Sequence, residues 1–190
     1  ACDGKHAEAA ILSEANAPLV ALGLHLLTKG VSVQMRSARL EKLILSVATF
    51  EKLDMRKVPL GTLAETLMRD LKKAQDEGAE NTENRQDVIN CIAALETFCL
   101  TEVSKGNADM GKVGFEHTGK FKANRKPIWK PIHPILKALR KMLNSDKGIT
   151  LLTGHTSKGL EWNTVFHLPA KVKAPKQDWQ AHQASCLAHV

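Results

Sequence analysis

Several residue types are scarce or absent in this chain of 190 residues, and their absence excludes some classes of protein. Tyrosine does not occur, and aromatic residues make up only 4% of the chain. No stretch has the ~18 uninterrupted apolar residues that a membrane span requires. The cysteines form no C-x-x-C pair, so the sequence indicates neither a zinc knuckle nor a disulfide scaffold. The four cysteines are Cys2, Cys91, Cys99 and Cys186. With 43% hydrophobic residues the chain can bury a core, and we expect a cytoplasmic protein.

The positive charge of the chain is concentrated in one segment. Between Lys120 and Lys147 there are nine basic residues and one acid, a net charge of +8, although the whole chain carries only +7. Such a segment favours a polyanionic partner, because lysine and arginine displace condensed counterions from phosphates. A solvated basic face is the alternative. The nine are Lys120, Lys122, Arg125, Lys126, Lys130, Lys137, Arg140, Lys141 and Lys147.

Both ends of the chain have the pattern of an α/β fold. The apolar run at residues 9–12 is typical of a strand buried on both faces. A helix follows, with Asn16 as its expected N-cap, Pro18 in its first turn and Gly30 at its end. Residues 31–35 then alternate as a second strand, and strand character returns at residues 149–153 and 164–168. A strand, a helix and a strand in this order predict a parallel sheet.

The middle of the chain has helical rather than strand periodicity. Apolar residues at helical spacing predict helices around residues 40–47, 60–71 and 88–99, and a last helix around residues 132–143. The segment from Lys105 to Pro134 is rich in glycine, proline and charge, and we expect it to be a long loop. The fold class predicted is therefore α/β, with a parallel sheet that is split in sequence by a small all-helical insertion.

Three segments carry a resemblance to a known family. Residues 153–162 read T-G-H-T-S-K-G-L-E-W, residues 11–19 read I-L-S-E-A-N-A-P-L, and residues 183–190 read Q-A-S-C-L-A-H-V. They resemble, in that order, motif V, motif IV and the opening of motif VI of the UvrD/Rep-like superfamily 1 DNA helicases. Glu14 stands where motif IV has arginine. Ala184 and His189 stand where motif VI has glutamate and tyrosine.

The resemblance implies a fold, a function and partners. It makes residues 1–36 and 146–190 the second RecA-like domain of an ATP-dependent DNA helicase, and residues 37–145 an inserted helical subdomain. That domain supplies one wall of an ATP cleft and part of the single-stranded DNA track. The chain contains no G-x-x-x-x-G-K-[ST] phosphate loop. ATP with Mg would therefore be shared with a first, N-terminal RecA-like domain, and we expect no hydrolysis by this chain alone. The expected partners are single-stranded or partly duplex DNA and that N-terminal domain, with no membrane.

The resemblance and the charge pattern together indicate candidate site residues. By resemblance, Lys158, Gly159 and Glu161 are expected at the nucleotide, and Thr153, His155 and Asn16 along the DNA. The basic segment adds five candidates for nucleic-acid contact. One of them is a tryptophan that lies among basic residues and could stack on a base. These are Lys126, Trp129, Lys130, Arg140 and Lys141. No residue is assigned a catalytic or metal-binding role.

Each assignment has a structural alternative. Glu161 could be an ordinary turn carboxylate paired with Lys158, and Thr153 and His155 could cap a strand end. Trp129 could anchor a loop on the core instead of stacking on a base. The reversed charge at Glu14 supports a second hypothesis for the whole chain, a non-catalytic nucleic-acid- or protein-binding module derived from such a domain.

Overall fold

The computed structural model describes residues 9–36, 39–50, 53–80, 82–143, 147–160 and 162–169. Within these ranges lie six strands and five α-helices, with short 3-10 helices at Met55–Lys57 and Ala108–Gly111. The strands are β1 (Ala9–Ser13), β2 (Val33–Met35), β3 (Gly114–Phe121), β4 (Pro127–Ile132), β5 (Ile149–Thr153) and β6 (Thr164–Leu168). The helices are α1 (Asn16–Thr28), α2 (Leu40–Phe50), α3 (Leu63–Asp76), α4 (Glu83–Ser104) and α5 (Pro134–Leu143).

Strands from the two ends of the chain form one parallel sheet. Its order is β2-β5-β1-β6, and β1 pairs with β5 on one side and β6 on the other. In register, Ile11 lies opposite Leu151 and also opposite Phe166. The predicted α/β class is therefore confirmed, and so is the prediction that the strands beginning at Ala9 and Ile149 share a sheet.

Helix α1 connects β1 to β2 and packs closely on the sheet. Its Gly23 is buried, and a Cβ at that position would lie 2.7 Å from both Leu151 Cδ1 and Met142 Sδ. Gly30 follows the helix with a φ of 78°, a left-handed conformation that favours glycine. The predicted end of this helix is confirmed.

The middle of the chain shares its core with the sheet. One hydrophobic cluster contains Ile11, Val33 and Leu151 of the sheet together with buried side chains of all five helices. The largest fully buried side chains are Leu19, Leu40, Ile44, Leu63, Leu67, Leu71, Ile89, Ile92, Leu95, Ile135, Leu139 and Met142. Cys91 and Cys99 are buried in it as free thiols. The division of the chain into two domains stays a prediction.

Helix α4 supplies the N-terminal caps of two other helices. Asp87 accepts hydrogen bonds from the backbone N–H groups of Asn16 and Ala17 at 3.0 Å. Glu96, only 3% exposed, accepts from the backbone N–H groups of Gly61, Leu63 and Ala64 at 2.8–3.0 Å. The first N–H groups of a helix have no partner within the helix, and a carboxylate also interacts favourably with the helix dipole. These two side chains therefore fix α1 and α3 to α4.

Three expectations for the middle of the chain are wrong. The segment from Lys105 to Pro134 is not a long loop, because β3 and β4 form an antiparallel hairpin within it. The insertion is consequently not all-helical. Ile132 ends β4 rather than beginning the last helix, which starts at Pro134. Two of the residues that indicated a loop lie at irregular or terminal positions of the hairpin: Gly119 has a φ of 76° within a register shift, and Pro127 is the first residue of β4.

In the described ranges, no helix is long and apolar enough to cross a membrane.

Candidate nucleic-acid interface

The segments that resemble motifs IV and V meet at one edge of the parallel sheet. The last residues of β1 and β5, Ser13 and Thr153, lie opposite each other in register. The backbone N–H of Gly154 donates to the Ser13 carbonyl oxygen at 3.1 Å. Because parallel strands end at the same edge, the residues that follow each strand are neighbours. The carboxyl edge of such a sheet is where α/β proteins commonly bind ligands.

The turn after β5 is held by hydrogen bonds within itself. The Thr153 carbonyl oxygen accepts from the backbone N–H groups of Thr156 and Ser157, at 2.9 and 3.1 Å, and from the Thr156 hydroxyl at 2.8 Å. The Ser157 hydroxyl donates to the Gly154 carbonyl oxygen at 2.7 Å. These short hydroxyl side chains therefore shape the turn.

The predicted ligand-contacting residues of this turn face solvent to different degrees. Thr153 is half-buried, and its hydroxyl lies 3.3 Å from that of Thr156. His155, Lys158 and Gly159 are exposed, and Gly159 adopts a φ of 79°. The turn thus presents an imidazole and an ammonium group to any ligand that approaches the edge.

Asn16 follows β1 at the same edge, but it is not the N-cap of α1 as expected; its contact with DNA stays a prediction. The N-cap of α1 is Ala15, which makes no side-chain capping hydrogen bond, and Asn16 is the first helical residue. The capping acceptor is Asp87, which also accepts from the Asn16 side-chain amide at 2.9 Å. Asp87 is distant in sequence, so the local pattern around Asn16 could not reveal it. This hydrogen bond to Asp87 holds the side-chain amide of Asn16 in one orientation.

The implied nucleotide contacts are only partly within the described residues. Lys158 and Gly159 are described, whereas Glu161 and the motif VI-like segment at residues 183–190 lie outside the described residues. Lys158 could supply a positive charge to a phosphate. In the described ranges, no group of three or more histidine, cysteine, aspartate or glutamate side chains could hold a metal ion.

Two members of the basic segment are bound to carboxylates. Arg140 donates through Nε to Glu41 at 2.9 Å, and its terminal nitrogens pair with Glu41 and Glu116. Lys130 Nζ lies 2.8 Å from the other Glu116 oxygen. The hydrogen bond from Arg140 lowers the pKa of Glu41, and the same contact raises the pKa of Arg140. This ion-pair cluster joins α2, α5 and the hairpin, so Arg140 and Lys130 have less charge to offer a phosphate.

The other three candidates of the basic segment are exposed. Lys126 follows the hairpin turn, Lys141 lies near the end of α5, and Trp129 on β4 is 56% exposed. The structure therefore does not support the alternative that Trp129 is anchored in the core. It instead places Trp129 next to His117 of β3, whose ring also contacts Phe121. These two residues were not predicted, because the segment was expected to be a loop. The sequence signal that could have found them is the alternation of ring-bearing and polar residues at positions 115–118, which read F-E-H-T.

Comparisons of the chain with protein-family models, curated proteins and solved structures find no match.

Proposed function

We propose that this chain is the second RecA-like domain of a UvrD/Rep-like ATP-dependent DNA helicase. In this proposal it supplies one wall of the ATP cleft and part of the track for single-stranded DNA. The observation that supports the proposal is the meeting of the two motif-like segments: β1 and β5 are adjacent, and Gly154 is hydrogen-bonded to Ser13 at their common carboxyl edge. Segments separated by more than a hundred residues of chain thus form one candidate site.

The residues at this edge have the chemistry that a phosphate backbone requires. Hydroxyl, imidazole and amide groups donate hydrogen bonds to phosphate oxygens without reading the base sequence. Thr153, His155 and Asn16 provide these three groups, and Asp87 fixes the last of them. Lys158 and Gly159 would lie on the nucleotide side. ATP and Mg, when bound between this domain and a first RecA-like domain, would supply the free energy of hydrolysis that moves the two domains along DNA.

The test is single-stranded DNA binding by variants of the edge. His155→Ala and Thr153→Val should each weaken binding of a labelled oligo(dT), measured by fluorescence anisotropy, by a few-fold, because each removes one donor to phosphate. Thr164→Val is the matched control, since Thr164 begins β6 and lies at the opposite edge of the sheet. Equal affinity in all three variants and the unaltered chain would contradict the proposal.

A non-catalytic nucleic-acid- or protein-binding module derived from such a domain is the second candidate. Glu14 favours it, because this exposed carboxylate follows β1 at the candidate edge, where the family has a positive charge. A carboxylate there opposes the approach of an anionic nucleotide. The encoding gene separates the two candidates. A phosphate loop upstream in the same reading frame supports the helicase, and a start codon immediately before Ala1 supports the module.

A further inference from the structure

The β3–β4 hairpin exposes an aromatic face that consists of Phe115, His117, Phe121 and Trp129. Phe115, Phe121 and Trp129 are 70%, 61% and 56% exposed. His117 lies opposite Trp129 in register, and its ring centroid is 5.5 Å from that of Trp129 and 5.2 Å from that of Phe121, both edge to face. Three of the eight aromatic residues of the chain therefore lie on one side of one hairpin and are largely exposed.

The opposite face of the hairpin is fixed to the rest of the protein. Glu116 forms an ion pair with Arg140 of α5, and Ile132 is buried in the core. The hairpin consequently cannot turn its aromatic face inward without breaking these contacts. Contiguous exposed aromatic side chains on a fixed element indicate a binding surface.

The charge around the aromatic face identifies the kind of partner. From His117 to Lys130 the sequence contains five basic residues and no acid. Four of these cations are exposed and lie around the hairpin turn, where Arg125 has a φ of 60°. They are Lys120, Lys122, Arg125 and Lys126. Flat aromatic rings can stack on the unpaired bases of a single strand, and neighbouring cations can pair with the phosphates that join those bases.

We propose that the aromatic face binds single-stranded nucleic acid by base stacking, with the cations of the hairpin turn on the adjacent phosphates. Trp129 is the central stacking residue, and His117 borders it and also contacts Phe121. A duplex is a poorer ligand for this face, because its bases are stacked on one another and their rings are not available. The inference goes beyond the proposed function, which concerns the carboxyl edge of the sheet, and it does not depend on a nucleotide.

The experiment compares an oligo(dT) with a strand of equal length in which abasic residues replace the bases. Fluorescence anisotropy should show that the unaltered chain binds oligo(dT) about 5- to 100-fold more tightly than the abasic strand, the range expected for one stacked base. Trp129→Leu should abolish this preference with little change in the salt dependence, and Trp129→Phe should retain part of it. Phe166→Leu is the matched control, because Phe166 on β6 is similarly exposed, at 57%, but lies on a different element.

Every outcome of this experiment supports the inference or contradicts it. If Trp129→Leu loses the preference for oligo(dT) over the abasic strand and Phe166→Leu keeps it, the inference is supported. This holds even if the variants at Thr153 and His155 bind normally and the proposed function fails. Equal binding of the two strands by the unaltered chain, or a preference that survives Trp129→Leu, overturns it and leaves the sheet-edge proposal standing. Concentration-dependent dimerisation that Trp129→Leu removes, without any base preference, would instead assign the face to contact between two copies of the chain.

Discussion

The basic segment allows a quantitative prediction of how single-stranded DNA binding depends on salt. For single strands, the slope of log affinity against log salt concentration changes by about −0.7 for each phosphate that is neutralised. Four to six contacts give a slope of roughly −3 to −4. Between 50 and 200 mM salt the affinity should then fall about 60- to 250-fold.

The structure determines which residues a test should replace. Arg140 and Lys130 are unsuitable, because their removal would leave Glu41 and Glu116 without their partners and would destabilise the fold. Exposed lysines of the segment are suitable. Replacing four of them with glutamine should flatten the slope by about 2.8 and weaken binding to all base sequences alike. The four are Lys120, Lys122, Lys126 and Lys141.

The control has the same change in net charge at other sites. Four exposed lysines outside the segment are replaced with glutamine, and both variants are titrated with labelled oligonucleotides by anisotropy at several salt concentrations. The control lysines are Lys29, Lys42, Lys72 and Lys112. The prediction requires the control to keep most of its slope. If both variants lose the same slope, only net charge matters, and an unchanged slope in the first variant would show the segment to be a solvated face.

Three further predictions concern stability and activity. Glu96→Gln should lower the free energy of unfolding by about 2–4 kcal/mol in urea denaturation, because the buried Glu96 carboxylate accepts hydrogen bonds from three backbone N–H groups. Asp87→Asn should lower it by only about 1 kcal/mol, because Asp87 is half-buried. Equal losses in the two variants would refute this ranking. Burial lowers the pKa of His133 to about 4 from an ordinary 6.5, so the unfolded state binds the proton first, and stability should fall by up to about 3 kcal/mol as the pH drops from 6.5 to 4. In His133→Asn, the asparagine oxygen can still accept the hydrogen bond from the Ile135 N–H, but the side chain does not titrate, so the stability of this variant should lack that loss at low pH. If the stabilities of the variant and the unaltered chain change with pH in the same way, His133 is not the group responsible. The chain alone should not hydrolyse ATP, and DNA-stimulated phosphate release by the purified, mass-verified chain would disprove this.

The sheet could be predicted because its strands are recognisable locally. Both β5 and β6 begin and end at the predicted residues, since each is a short apolar run bounded by polar turn residues. The presence of β1 and β5 in one sheet was also predicted, because strand patterns return at residues 149–153 and 164–168 after the helical middle of the chain. Their adjacency in that sheet was not predicted.

The hairpin and the caps could not be predicted in the same way. The strands of the hairpin keep one face exposed, contain glycine and proline, and include an irregular register, so they lack the apolar pattern of a buried strand. The capping of α1 by Asp87 and the pairing of Arg140 with Glu41 join residues 70 or more positions apart. Such contacts depend on the packing of whole helices, which no local window contains.

The order of strands in the sheet has a consequence for how the protein folds during synthesis. β1 and β2 precede β5 and β6 in the chain, yet they do not pair with each other, and among the described strands β2 pairs with β5 alone. Ala10 pairs with Thr150, 140 positions later in the chain. Until β5 leaves the ribosome, the edges of the first two strands are therefore without their native partners. Contacts of such long range slow folding and leave strand edges open to aggregation. A nascent chain stalled before residue 149 should therefore be cleaved by protease more readily in its N-terminal strands than a chain that includes β5 and β6.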